Sequence, residues 1–436
     1  MKLAPKILVL ISICTLSFPF VEKEKVKLHT LSNGLRVVVL PRSELDLVSL
    51  QLWLKVGSVR DGDKPGLMHL LEHMLFDGSK DYPPGAIDEA IEEMGGRISA
   101  ETGQDFTYFS IEITSQFFPK AIEILSELIR YPLFDEGELE KEKRIVLAEA
   151  KGASNPFQQS AWELSRLMFK EHPYRYPIPG FEESIAKIKR EDLLSAWQRY
   201  YIPSLASIVI VGKVNEDEAL QLVERYFGDW ENKASPLSPL PSESPLREVR
   251  FSSLNFPSTS SQIGEMGARS YIAFGFPAPS VEDKKAVIAL DLLNQLIEDG
   301  NLFPSLKEKG LVSEIRSFFL TQRYPSIFII YASTWGDVIG EVKKSVLESL
   351  SELKKNITGE VLAKAKKSLL FSYFLNCETY ADQAHILGFY ESISDYSFAC
   401  DYPKMVEAIT LQEVKEAWER FIRTDAYCFV SLTPKK

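Results

Sequence analysis

Cysteine is scarce in this chain of 436 residues: four occur, at positions 14, 377, 400 and 428, with no Cys-x-x-Cys pair among them. That excludes a disulfide framework and a cysteine-based zinc site; buried thiols are the expected state, with one disulfide among the last three as the alternative. Histidine is scarce too, at five residues. After the N-terminus no apolar run is long enough to cross a bilayer as a helix, so the mature chain is expected to have no membrane span. Positive charge is not in excess either. The formal net charge is -11, which speaks against a general nucleic-acid binder. What remains is ordinary for a soluble globular protein, 45% hydrophobic and 25% charged, at a length that suits two domains of roughly 200 residues each.

The N-terminus reads as an export signal. Lys2 and Lys6 precede an uncharged, mostly apolar stretch at 7–20, and the charged run 22–27 follows at once. The stretch is short for a span but suits a signal core. Residues 1–21 are therefore read as a signal sequence and the protein as exported, to the periplasm where the cell has one. Cleavage, and membrane association through the N-terminus, stay open.

The rest divides into two halves. Strands are expected at 26–31 and 35–40 around the turn signal Ser32-Asn33-Gly34, and again at 48–56. Helices are expected at 66–76 and 86–94, one or two strands over 98–113, helices at 118–130 and 137–151, and a short buried strand at 206–211. Residues 233–246, KASPLSPLPSESPL, cannot build a core and read as a linker. The second half repeats the order: a strand at 271–276, a helix at 281–297, a short helix near Leu306, a strand at 326–332, helices at 338–354 and 359–376, and a closing strand at 427–432. The fold class is thus α+β, with similar domains at 22–232 and 247–436 from a duplication, each a mainly antiparallel sheet with helices packed on it.

Two of the five histidines lie in HLLEH, residues 69–73, within a helix-like stretch. On a helix, positions i and i+4 share a face, so His69 and His73 can point at one ion, and Glu72 lies close to that face as the base that activates a water. A catalytic zinc normally has three protein ligands plus water, so a third ligand must come from elsewhere.

With GSVRD at 57–61 and GLMHLLEHMLFDGS at 66–79, the chain resembles the insulinase/pitrilysin family of zinc peptidases, and its processing-peptidase branch in particular. LSNGLRVVVL at 31–40, HPYRYPIPG at 172–180 and YYIPSLASIVIVGKV at 200–214 extend the resemblance over nearly the whole mature chain. The resemblance implies a third ligand at Glu149, 76 residues after His73, and a supporting role near the metal for Glu142. It also implies one zinc ion per chain, a structural His172, and two half-molecules closing into a chamber. The segment 281–300 matches the catalytic helix in pattern but has Asp291 and Asn294 and no histidine, so the second domain cannot hold zinc in the same way.

The chain departs from the family pattern twice. Ser99-Ala100 stands where the family usually has Asn-Ala to hold the substrate backbone. In LKEKGLVSE, residues 306–314, Lys307 replaces an arginine, and Ser313 or Glu314 stands where a tyrosine is expected. The leading reading is an endopeptidase for peptides or unfolded polypeptides, working in a closed chamber with a homologous partner that supplies the Arg/Tyr pair. A homodimer relying on Lys307 and Arg316 is the rival. The alternative functions are a non-catalytic assembly subunit of the same fold and a non-proteolytic zinc hydrolase.

Overall fold

A computed structural model describes residues 21–152, 155–233, 237–256, 263–264, 267–301 and 303–435. The expected signal, apart from Val21, and residues 234–236 of the linker lie outside the described residues.

The first sheet contains β1 (Lys27–Thr30), β2 (Arg36–Pro41), β3 (Leu47–Leu54), β4 (Arg97–Thr102), β5 (Thr107–Thr114) and β6 (Ala206–Gly212), in the order β1-β2-β6-β3-β5-β4. Only β2 and β6 run parallel. The second sheet contains β7 (Arg250–Phe256), β9 (Gly267–Ala278), β10 (Val312–Phe319), β11 (Ser326–Trp335) and β12 (Cys428–Pro434), with the short β8 (Ile263–Gly264) paired to β9. Its order is β7-β12-β9-β11-β10, and here too one pair is parallel, β7 with β12, in the place that β2 and β6 hold in the first sheet. Each half therefore wraps its chain the same way, and the molecule is α+β with two similar domains.

The central strands β2 and β6 read as continuous apolar runs because the sheet is buried on both faces there. With a period of two, Val37, Val39, Ile208 and Ile210 face a core shared with the first half's helices α1 (Leu67–Phe76), α2 (Ala86–Glu93) and α3 (Phe118–Arg130). Val38, Leu40, Val209 and Val211 face the opposite way, into a core with the second half. The helix Tyr380–Ile393 of the second half covers that face. The first half returns the arrangement: after α4 (Glu136–Gly152), helix α5 (Pro156–Met168) crosses to the second sheet and packs Leu164 and Met168 against Ala273, Tyr331 and Val430.

Glycine permits close approach at the first crossing. A Cβ on Gly388 would lie 2.0 Å from the indole nitrogen of Trp53, so the helix backbone itself seats the ring. Beside it, the fully buried Glu391 accepts from Arg36 Nε at 2.6 Å and from Lys55 Nζ at 2.9 Å. A buried carboxylate is tolerable only when paired in this way.

Three differences from the sequence reading have physical causes. The helix expected at 281–297 starts only at Lys284, because Asp283 Oδ1 accepts the backbone N–H of Ala286 and caps it. Strand β10 had no reading, since its exposed Glu314 and Arg316 break the apolar pattern. The helix Tyr380–Ile393 had none either, because it buries Gln383 and Glu391 beside its apolar residues. Cys377, Cys400 and Cys428 are buried free thiols, and among the described residues no helix is long and apolar enough to cross a membrane.

Gly388→Ala should therefore cost about 1–3 kcal/mol of stability by overpacking. Gly340→Ala, at a helical glycine with nothing within 4 Å, is the control and should be neutral. Thermal denaturation checks this; equal melting of the Gly388→Ala and parent proteins would remove the seated indole from the account.

Candidate metal centre

Helix α1 is built from the two ends of the first half. Its N-terminus is fixed by Asp61, whose Oδ2 accepts from the Gly66 amide at 2.7 Å and whose Oδ1 accepts from Met68 at 2.9 Å. Burial pushes the Asp61 carboxyl up to about 8, against those two donors, which favour its charged form. Gly66 has φ +98°, and a Cβ there would lie 2.8 Å from the Pro179 carbonyl, so the 172–180 loop closes over this end of the helix. The helix then buries Leu67, Met68, Leu70, Leu71, Met74 and Leu75.

Position i and i+4 do what the sequence suggested: the His69 and His73 rings lie 4.8 Å apart, centroid to centroid. Helix α4 brings Glu149 to them. Its Oε2 lies 3.4 Å from His73 Nε2 and 3.9 Å from His69 Nε2, and the three groups offer ligand atoms all within 4.8 Å of one another. Two atoms each about 2.1 Å from a tetrahedral zinc stand about 3.4 Å apart, so these separations suit that ion. One α4 position two turns earlier, Glu142, is buried and accepts from His73 Nδ1 at 3.0 Å. That bond places the proton on Nδ1 and leaves the Nε2 lone pair toward Glu149 and the candidate site. Burial, then the neighbouring His73, pushes His69 down to about 4, so its ring is neutral and able to ligate at neutral pH. The donor set therefore fits zinc.

Glu72 is buried on the same helix, and its Oε2 accepts from Thr102 Oγ1 at 2.6 Å. Burial raises its carboxyl to about 7, with the Thr102 bond opposing the rise. Thr102 ends β4 and was not legible as a site residue; nor was the capping role of Asp61, although it closes the quoted GSVRD segment.

Ser99 and Ala100 lie on β4, the outermost strand of the first sheet, paired on one side only, to Ser110 and Phe109 of β5. Lys307 is not among the residues that gather at the histidines. With Ser313 and Glu314 it lines a separate cavity beside Arg269, Glu298 and Arg316, which contains no member of the His/Glu group. Asp291, on the helix matching α1 in the second half, is buried and accepts from the Tyr402 hydroxyl at 2.7 Å. Among the described residues, His69, His73 and Glu149 are the only such group of potential ligands.

Comparison with known proteins bears on this arrangement. The family model described as insulinase (peptidase family M16) matches residues 37–179, and that described as the peptidase M16 inactive domain matches residues 187–369. The chain belongs to the insulinase, or M16, family of peptidases. The first match holds His69, Glu72, His73 and Glu149; the second, named for an inactive domain, spans the end of the first half and most of the second, and among its described residues no such group lies. A protein named as the uncharacterized zinc protease YmxG of Bacillus subtilis is 26% identical over 361 residues, covering 81% of this chain and 85% of its own. The probable mitochondrial-processing peptidase subunit beta of Arabidopsis thaliana is 22% identical, covering 83% of this chain and 69% of its own. A crystal structure of a protease from Helicobacter pylori shares the fold at TM-score 0.86 and 23% identity, covering 94% of this chain and 99% of its own.

Glu142→Gln keeps the shape but accepts less strongly from His73 Nδ1–H. Zinc affinity should fall roughly 10- to 100-fold while the melting temperature of the metal-free protein barely moves. Competition with a chromogenic chelator measures the affinity; an unchanged value would reduce Glu142 to a structural residue.

Proposed function

We propose that the protein is a zinc-dependent endopeptidase acting on peptides or unfolded polypeptides in a chamber closed by a homologous partner. The observation that carries this reading is the convergence of His69, His73 and Glu149 beside a buried Glu72 held by Thr102. One zinc ion per chain would be held by the first three. Bound there, it supplies Lewis acidity and a water of lowered pKa.

The chain's own residues do the rest. Glu72 Oε1, the oxygen left free by Thr102, takes the proton of the attacking water and returns it to the leaving amine. Thr102 holds the carboxylate against rotation, and Glu142 holds the His73 ring. The unpaired edge of β4 accepts the substrate as an added strand, with Ser99 and Ala100 beside the reacting bond. The export reading of the N-terminus places this activity outside the cytoplasm.

That Lys307, Ser313 and Glu314 line a cavity without His69, His73 or Glu149 supports a second half supplied in trans. So does the relative whose name makes it a subunit. Lysine offers a point charge in place of arginine's planar fork, and neither Ser313 nor Glu314 reproduces a phenol. The second reading, a non-catalytic assembly subunit, draws on the same deficit.

Two experiments decide between them. Glu72→Gln should keep zinc and lose peptide hydrolysis, whereas His69→Ala, His73→Ala and Glu149→Gln should lose zinc; metal content measured beside turnover separates the cases, and parental turnover by Glu72→Gln would rule the mechanism out. The purified chain alone should turn over an unfolded polypeptide about 10² to 10³ times more slowly than the same chain mixed with a homologue carrying the Arg/Tyr pair. Full activity of the lone chain, indifferent to any homologue, would sink the partner reading, and inactivity in every mixture would favour the assembly subunit.

A further inference from the structure

A cavity of about 640 Å³ lies away from the histidine helix, where the connecting segment meets both halves. Phe169 and His172 of the first half form one wall, Leu240 and Pro245 of the connection another, and Pro277 and Phe421 of the second half a third. Its volume is that of a site for a small organic ligand, and its walls are mainly apolar.

One group in this wall is out of place. His172 is buried, at 4% exposure, and its Nε2 has no hydrogen-bond partner. The tautomer follows from the other nitrogen. The backbone N–H of Tyr174 donates to Nδ1 at 3.3 Å, so Nδ1 carries the lone pair and Nε2 the proton. Burial pushes the ring down to about 4, which keeps it neutral. Phe169 and Tyr324, with ring centroids 5.8 and 5.0 Å from the imidazole, hold it in place. Glu243 of the connection accepts the amides of Lys170, Glu171 and His172 on its Oε2 and makes no hydrogen bond to Nε2. An unmatched buried donor costs about 1–3 kcal/mol, so it marks a place for an acceptor.

We propose that this cavity binds a small apolar or aromatic molecule bearing one carbonyl or carboxylate, which accepts the Nε2–H of His172. The proposal is independent of the peptidase reading. Because the walls come from both halves and from the segment joining them, the ligand ties the two halves together and stabilises the folded chain by mass action.

The test uses the full chain labelled with ¹⁵N-histidine and three probes, indole-3-acetate, phenylacetate and benzamide, with 3-ethylindole as the analogue lacking an acceptor. At least one probe should shift the His172 Nε2–H resonance and raise the melting temperature, and 3-ethylindole should bind about tenfold more weakly than indole-3-acetate. His172→Phe should lose that preference. If that variant does not fold, Leu240→Trp, which fills the cavity and leaves the histidine in place, should abolish binding. A His172 resonance unmoved by all three probes, an indole preference that ignores the acceptor, or undiminished binding to Leu240→Trp would each overturn the proposal and leave the cavity to water.

Discussion

Each sheet of this molecule has two apolar faces and only one set of helices in its own half to cover them. The second face is covered from across the molecule, by Tyr380–Ile393 on the first sheet and by Pro156–Met168 on the second. Everything else follows from that exchange. Uncovering either face would expose a continuous run of valine, leucine and isoleucine, at a cost of roughly 25 cal/mol per Å². The buried Glu391 between Arg36 and Lys55, and the Trp53 indole on the Gly388 backbone, fix where the first exchanged helix sits. Arg323 adds a third tie, donating from its backbone to Asp105, which also receives the Tyr174 hydroxyl.

The histidine helix inherits its position from this frame. Its start is held by Asp61 and the 172–180 loop, its middle by Thr102 on Glu72, and its end by Glu142 on His73. None of these contacts belongs to the His69, His73 and Glu149 group itself, yet the bond from His73 Nδ1 to Glu142 leaves the Nε2 of that ring toward Glu149. The apolar setting also makes His69 neutral and raises Glu72. A dication beside Glu72 would act in the opposite sense and favour its carboxylate. Burial and a bound dication would thus pull the Glu72 carboxyl in opposite directions.

The two halves share their wrapping, and the His/Glu group lies in only one of them among the described residues. The second half has the same strand order, down to the parallel pairing of its first and last strands, but Asp291 in its matching helix is turned inward to Tyr402. That half contributes a core, a covering helix and a cavity lined by Arg269, Lys307 and Arg316.

Elements whose pattern is local could be read from the residues alone. Alternation and apolar runs gave β2, β3, β6 and β11, and the i, i+4 histidines within an apolar helix gave half of the candidate site. Likeness to a family, and not spacing, pointed to Glu149 and Glu142, since a ligand 76 residues away leaves no periodic mark. Only the tertiary structure decided the exchange of helices, the bond from Thr102 to Glu72, the cap from Asp61 and the unmatched nitrogen of His172. The exchange and the Thr102 bond join residues far apart in the chain, and the Asp61 cap and the His172 nitrogen depend on burial that no local pattern shows. A helix that buries Gln383 and Glu391 cannot announce its buried face by hydrophobicity, because its partners, Arg42, Arg36 and Lys55, lie more than 300 positions away in the chain.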